Sequence, residues 1–161
     1  MKKITIFWLG CLLLLISFGD VLAADATILY KKGNDSYKQY DPKNRTTNKF
    51  LDNALEYLNK AIQADSNYGQ AYFTRGHVYV GKKIFNKAIN DYSKAISLDF
   101  IADSQTSSDD TRTYVYTSRG IAYLLSGERK KGASDLLTAC GLGNTEANEA
   151  ACEIAQKMLV R

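Results

Sequence analysis

His77 is the only histidine in this 161-residue chain, and imidazole is the side chain best placed for proton transfer or metal ligation near neutral pH. Either task needs a second group. The spacing around His77 supplies no His–Cys, His–Asp or paired-carboxylate arrangement. Metal-ligand clusters, glycine-rich phosphate loops and nucleophile elbows are also absent from the sequence. The GLG at 141–143 follows a helical pattern instead of a strand, so it reads as a turn. The SSDD at 107–110 could be taken for a calcium loop, but neither the glycine nor the spaced carboxylates of such a loop follow it. No catalytic residue, metal or cofactor is therefore expected. What remains with chemistry is a pair of cysteines, Cys140 and Cys152.

The elements that must position these residues are read from the segment Ala71 to Phe100, AYFTRGHVYVGKKIFNKAINDYSKAISLDF. Tyr72, Arg75, Gly76 and Tyr79 share one face of a first helix, and Ala88, Tyr92 and Ala95 share one face of a second. VGKKIFNK between them offers Gly81 and polar residues for a tight turn. Gly76 and Ala88 are small where two helices must cross closely, and the tyrosines fill the space around that crossing. Downstream, Tyr116, Arg119, Gly120, Tyr123, Leu136 and Ala139 recur at matching offsets, with Gly132 in the place of Ala88. Upstream, Ala54, Leu58, Ala61 and Ile62 match the second helix, and ATILYKKGNDSYKQY (26–40) supplies a first helix around Gly33. One such hairpin is too thin to bury its own apolar face, so stacked neighbours must build a shared core.

This pattern over residues 26–142 resembles the tetratricopeptide repeat, a helical hairpin of about 34 residues. Arg75 and Arg119 stand where that family has leucine, and Phe100 where proline is common. The resemblance implies an all-α fold: a right-handed superhelical stack of three hairpins closed by a C-terminal capping helix. Unit one then covers about 26–67 with a loop insertion at 41–49, and unit two about 69–102. A loop at 103–112, unit three over about 113–142 and the capping helix over about 145–160 complete the domain. Both insertions read as exposed loops, with Asp109, Asp110 and Thr111 as caps for the helix that follows.

The resemblance also implies a concave groove lined by the first helix of each unit. Its positions map to Tyr30, Asn34, Tyr37 and Lys38 in unit one, and to Gln70, Phe73, His77 and Val80 in unit two. Unit three contributes Tyr114, Thr117, Ile121 and Leu124. Such a surface, aromatic and polar at one end and apolar at the other, fits a peptide or helix with a few bulky anchors. A clamp for acidic C-terminal peptides would need Lys and Asn at several positions, and only Asn34 and Lys38 fit. Tyr72, Tyr79, Tyr92, Tyr116 and Tyr123 are expected to be framework. The expected function is a non-catalytic module that binds a protein or peptide partner. The alternatives are a self-associating envelope scaffold whose groove contacts its own copies, and a glycan binder using the exposed tyrosines; a competing reading of Ile121 and Leu124 is that the C-terminal helix or a second subunit covers them.

The chain opens with Lys2 and Lys3, an apolar run from Ile4 to Phe18, and small residues at Val21 and Ala23. This reads as a Sec-type signal peptide over 1–23, cut after Ala23 or Ala24, with an uncleaved anchor or a lipid-modified Cys11 as alternatives. No stable membrane span is expected after cleavage, and the address is periplasmic or secreted. Residues 1–23 carry two lysines and one aspartate, so their removal takes the net charge from +4 to +3. Neither this balance nor any basic run with interleaved aromatics suggests a nucleic-acid partner.

In an exporting compartment a disulfide can persist. Twelve residues and a turn can bring Cys140 and Cys152 together on antiparallel helices. The ACGLG…AC ending resembles Sel1-like repeats, where cysteines cross-link adjacent helices; here Asn148 occupies the place where their second cysteine often lies. The expectation is a disulfide worth about 3 kcal/mol in the chain-entropy account. The alternative is two buried thiols packing as small hydrophobes.

Overall fold

The computed structural model describes residues 25–98, 108–142 and 146–159. The signal-peptide reading and residues 99–107 and 143–145 lie outside the described residues. Helix α1 spans 25–38. A 3-10 turn at Arg45–Thr47 leads into α2 (Asn48–Ala64), followed by α3 (Gly69–Gly81) and α4 (Phe85–Ser97). Next come α5 (Ser108–Leu125), α6 (Arg129–Leu142) and α7 (Glu146–Leu159). These helices form an all-α, tetratricopeptide-repeat-like stack of three hairpins, α1–α2, α3–α4 and α5–α6, with α7 packed on α5 and α6.

Two stretches read as loops are partly helical. The insertion at 41–49 contains the 3-10 turn and the first residues of α2, pinned where Thr47 Oγ1 donates to the carbonyls of Asp41 and Asn44. The second loop ends earlier than its polar composition implies, because α5 already begins at Ser108. Asp110 and Thr111 thus sit within the first turn of α5, where an acidic residue is favoured by the helix dipole.

The core shows why the hairpins must stack. Leu51, Ala54, Leu58 and Ala61 of α2 bury against Ala71 and Val78 of α3. Ala88, Ile89, Tyr92 and Ala95 of α4 repeat the arrangement with Val115 and Ala122 of α5. Each cluster joins the second helix of one hairpin to the first helix of the next. In the third, Leu136 and Ala139 of α6 meet Ala151 and Ala155 of α7. Helix α7 therefore covers the face that a fourth hairpin would otherwise cover, as the end of a repeat array requires.

Within the central hairpin the helices cross at Gly76. A Cβ built there would lie 2.5 Å from Tyr92 Cε1, and that ring is fully buried. The turn that follows differs from the sequence expectation. Gly81 closes α3 against α2 instead of making the turn, and the left-handed residue is Lys83, with φ of 60°. Ile84 N–H then donates to Tyr79 O at 2.8 Å. The next hairpin uses the same closure, with Gly127 at φ 89° and Glu128 N–H donating to Tyr123 O at 2.8 Å.

The two arginines that replace the family's leucine lock the hairpins. Arg75 grips Asp91 through Nε at 2.7 Å and Nη2 at 2.8 Å, and its guanidinium centre lies 5.3 Å from the Tyr72 ring centre and 5.9 Å from that of Tyr79. Nη1 donates back to Asn59 Oδ1 of α2 at 2.7 Å. Arg119 repeats this with Asp135 at 2.7 and 2.9 Å, with Tyr116 and Tyr123, and with Ser93 of α4 at 3.0 Å. In the first hairpin the arrangement is reduced to Lys32 lying 5.8 Å from the Tyr57 ring centre.

Planar bidentate geometry is what lysine cannot offer. Burial works against the Arg75 charge, but the hydrogen bonds and charge of Asp91 win and hold its pKa above the ordinary value. Asp91→Asn should cost about 3 kcal/mol in urea unfolding, because it strands a largely buried guanidinium. Asp52→Asn, which breaks an exposed pair with Lys82, should cost less than about 1 kcal/mol. Equal losses in the two variants would contradict the assigned role of the Arg75–Asp91 pair.

Candidate functional site

Helices α1, α3 and α5 carry the positions predicted to line the groove, and the structure divides them into three groups. The first is an aromatic cluster. Tyr37 stacks on His77 at 6.1 Å between ring centres with a 17° interplanar angle. Phe73 meets His77 edge-on at 4.5 Å, and both pack on Tyr92. Residues from α1 and α3 are thus brought together on the second helix of the central hairpin.

The second group is absorbed into packing. Tyr30 turns to Tyr68, with ring centres 5.2 Å apart in a T shape. Val80 packs against the second core cluster. Leu124 packs against the third, where a Cβ on Gly132 would lie 2.6 Å from its Cδ2, so the cap and α6 claim this groove position. Thr117 has its hydroxyl buried without a hydrogen-bond partner, as does Thr113 one turn earlier. Phe73 is only half exposed and holds His77 and Tyr92, so replacing it by Glu would damage the fold as well as any binding surface. That substitution is unsuited to testing the groove.

The third group is open. Tyr114 and Ile121 of α5 are 47% and 37% exposed, and Lys38 is exposed at the end of α1. Asn34 and Gln70 are half-buried between these extremes. The accessible part of the surface is therefore concentrated on α5.

Around His77 the inner face carries no charge. His77 Nδ1 and the Tyr92 hydroxyl share a hydrogen bond of 3.0 Å. Burial lowers the His77 pKa to about 4, since the imidazolium would lose its water with no carboxylate beside it. Burial likewise pushes the Tyr92 phenol well up, with Tyr37 and Asp91 adding to the effect. At neutral pH this pair is an uncharged donor–acceptor unit inside an aromatic cluster, with a structural role. Among the described residues no three His, Cys, Asp or Glu side chains gather as a metal site. No described helix is long and apolar enough to cross a membrane.

Cys140 and Cys152 face each other across α6 and α7, with Sγ atoms 1.96 Å apart and Cα atoms 4.9 Å apart. The interacting residues most easily missed in the sequence are Asp91 and Asp135. The available signal is an aspartate sixteen positions after each arginine of the Tyr-x-x-Arg-Gly-x-x-Tyr pattern.

The family model of the tetratricopeptide repeat matches residues 69–101. An Arabidopsis thaliana protein, TPR repeat-containing thioredoxin TDX, is 33% identical over 96 residues, covering 60% of this chain and 23% of that protein. Among solved structures, the TPR domain of Arabidopsis OM64 superposes with a TM-score of 0.65 at 20% identity, covering 84% of this chain and 98% of that one. The N-terminal domain of C. elegans stress-induced protein-1 (STI-1) gives 0.68 at 15%, covering 86% and 97%. The first TPR of Spaghetti (RPAP3), bound to the HSP90 peptide SRMEEVD, gives 0.64 at 23%, covering 85% and 95%. These likenesses support the tetratricopeptide repeat family and establish the fold as that of its domains.

Because folded His77 takes a proton only near pH 4, whereas an unfolded histidine does so near about 6.5, His77 links stability to pH. Its contribution is complete above about 6.5 and is lost progressively as pH falls toward 4. Urea midpoints should therefore drop across that window, and His77→Gln should flatten the drop. An identical slope in the variant would show that His77 is not the group responsible.

Proposed function

We propose that this protein is a non-catalytic interaction module that holds a peptide or helix of a partner protein against the inner face of α1, α3 and α5. The observation that carries the reading is the exposed apolar pair Tyr114 and Ile121, seven residues apart and so left open on one face of α5. One structural neighbour holds a peptide, SRMEEVD, which supports peptide binding as something this fold can do. The acidic-clamp version of that chemistry is not favoured here. The inner-face positions Phe73, His77, Thr117 and Ile121 carry no cation, and His77 is neutral at pH 7. An aromatic or aliphatic anchor fits better than a carboxylate.

The thioredoxin in the name of the Arabidopsis relative is not extended to this chain. Cys140 and Cys152 are twelve positions apart on two packed helices, without the Cys-x-x-Cys spacing of thiol–disulfide exchange centres. In our reading they form a structural cross-link between α6 and the cap, as in the Sel1-like ending, in a protein exported by its N-terminal segment to an oxidising compartment. Intact mass of the protein purified from its native envelope should show an N-terminus at Ala24 or Asp25, and a mass two hydrogens below the dithiol form. Two free thiols or a retained leader would overturn that address.

The inner-face reading is tested by photo-crosslinking in the native envelope. A benzophenone amino acid at Ile121 should capture one partner protein, whereas the same probe at exposed Leu137 on α6 should not. Equal capture from both positions would reject the inner face as the binding surface. Capture of only a second copy of the chain would favour the self-associating scaffold.

A further inference from the structure

A second surface lies at the end of the helices where the hairpins turn, one turn of α5 beyond Ile121. The α3–α4 turn and the end of α5 enclose an open pocket of about 420 Å³ lined by Lys83, Ile84, Phe85, Asn86, Leu125 and Ser126. Its apolar wall is bare, since Ile84 is 36% and Leu125 51% exposed. Lys83 is the cation that lines it; Lys82 precedes it in the turn, Lys87 follows in the first turn of α4, and Arg129, Lys130 and Lys131 open α6. Among the described residues two of these cations are in ion pairs, Lys82 with Asp52 and Lys131 with Glu128. Lys83 forms no ion pair among the described residues and is exposed at the pocket.

Lys83 also occupies a costly conformation. Its φ of 60° is left-handed, and the equivalent residue of the next hairpin is Gly127. A side chain there is strained where glycine is not. Strain of this kind at the lip of a pocket is a reason to look for function.

We propose that this pocket docks an acidic peptide segment of a partner protein. One apolar side chain of the segment sits between Ile84, Phe85 and Leu125, and one of its carboxylates rests on Lys83. Charge complementarity selects the acidic partner. The recessed apolar wall selects a single side chain over a lipid surface, because a hollow cannot reach acyl chains as a projecting apolar face does. The site is distinct from the inner face and does not depend on that reading.

The test is fluorescence anisotropy with the labelled peptide acetyl-EEDLFEE, compared with acetyl-KKDLFKK and acetyl-EEDGSEE. Wild-type protein should bind only the first, and added salt should weaken that binding by screening. Lys83→Gly should weaken it about tenfold, about 1.4 kcal/mol, while raising the melting temperature. These opposite movements separate the amine's role from any effect on folding. Leu125→Asp, at an exposed position, should abolish binding in a protein that stays folded, whereas Tyr114→Glu on the inner face should leave it unchanged.

The proposal is overturned if Lys83→Gly binds as tightly as wild type, if the basic peptide binds equally well, or if Tyr114→Glu removes binding. It is also overturned if acetyl-EEDLFEE does not bind, and binding of phosphatidylserine vesicles or of a second copy through Lys83 would then identify the occupant instead.

Discussion

The guanidinium groups of Arg75 and Arg119 connect more of this structure than any other side chains. Each lies between two tyrosine rings of its own helix, grips an aspartate of the paired helix through two hydrogen bonds, and reaches back to the preceding hairpin. A leucine at the same place could fill the crossing, but it could not join three helices. The polar solution demands full satisfaction, because a partly buried guanidinium without its carboxylate costs more than an apolar side chain would. Asp91 and Asp135 are correspondingly buried, and Asn59 and Ser93 accept from Nη1. The direction of stacking and the pairing of helices are thereby tied to the same few atoms.

Around these anchors the cores interlock across hairpin boundaries, so no hairpin is complete without its neighbour. That dependence leaves an unsatisfied apolar face at the end of the array, and α7 covers it with Ala151 and Ala155. Small residues there let the cap approach α6 closely enough for Cys140 and Cys152 to meet. The cap has a functional consequence too. By packing with Leu124 and Tyr116 it confines the open apolar surface of the inner face to Tyr114 and Ile121.

Desolvation then sets the chemistry of the inner face. His77, the one residue that invited a catalytic reading, is held neutral within a cluster of Tyr37, Phe73 and Tyr92. Its hydrogen bond goes to a buried phenol, and burial lowers its basicity. Exposed charge appears instead at the α3–α4 turn, where Lys83 lines an apolar hollow with Ile84, Phe85 and Leu125. Two surfaces of different character result, one aromatic and neutral, the other basic around an apolar recess.

The sequence by itself determined the repeat. Gly33, Gly76 and Gly120, with their attendant alanines and tyrosines, state where helices cross, because only small residues tolerate that approach and the requirement recurs with each unit. It also located the cap and the cysteine pair, since both follow from local helical pattern and spacing. The sequence did not reveal the aspartates that complete the arginine anchors, nor that Lys83 instead of Gly81 makes the left-handed turn. It also could not show which groove positions are spent on packing. Phe73, Val80 and Leu124 look alike as apolar residues on a predicted face, and only the neighbours supplied by other hairpins and by α7 decide which remain open. Helical periodicity is a short-range property written along the chain, whereas exposure, ion pairing and pKa depend on what the folded chain brings alongside.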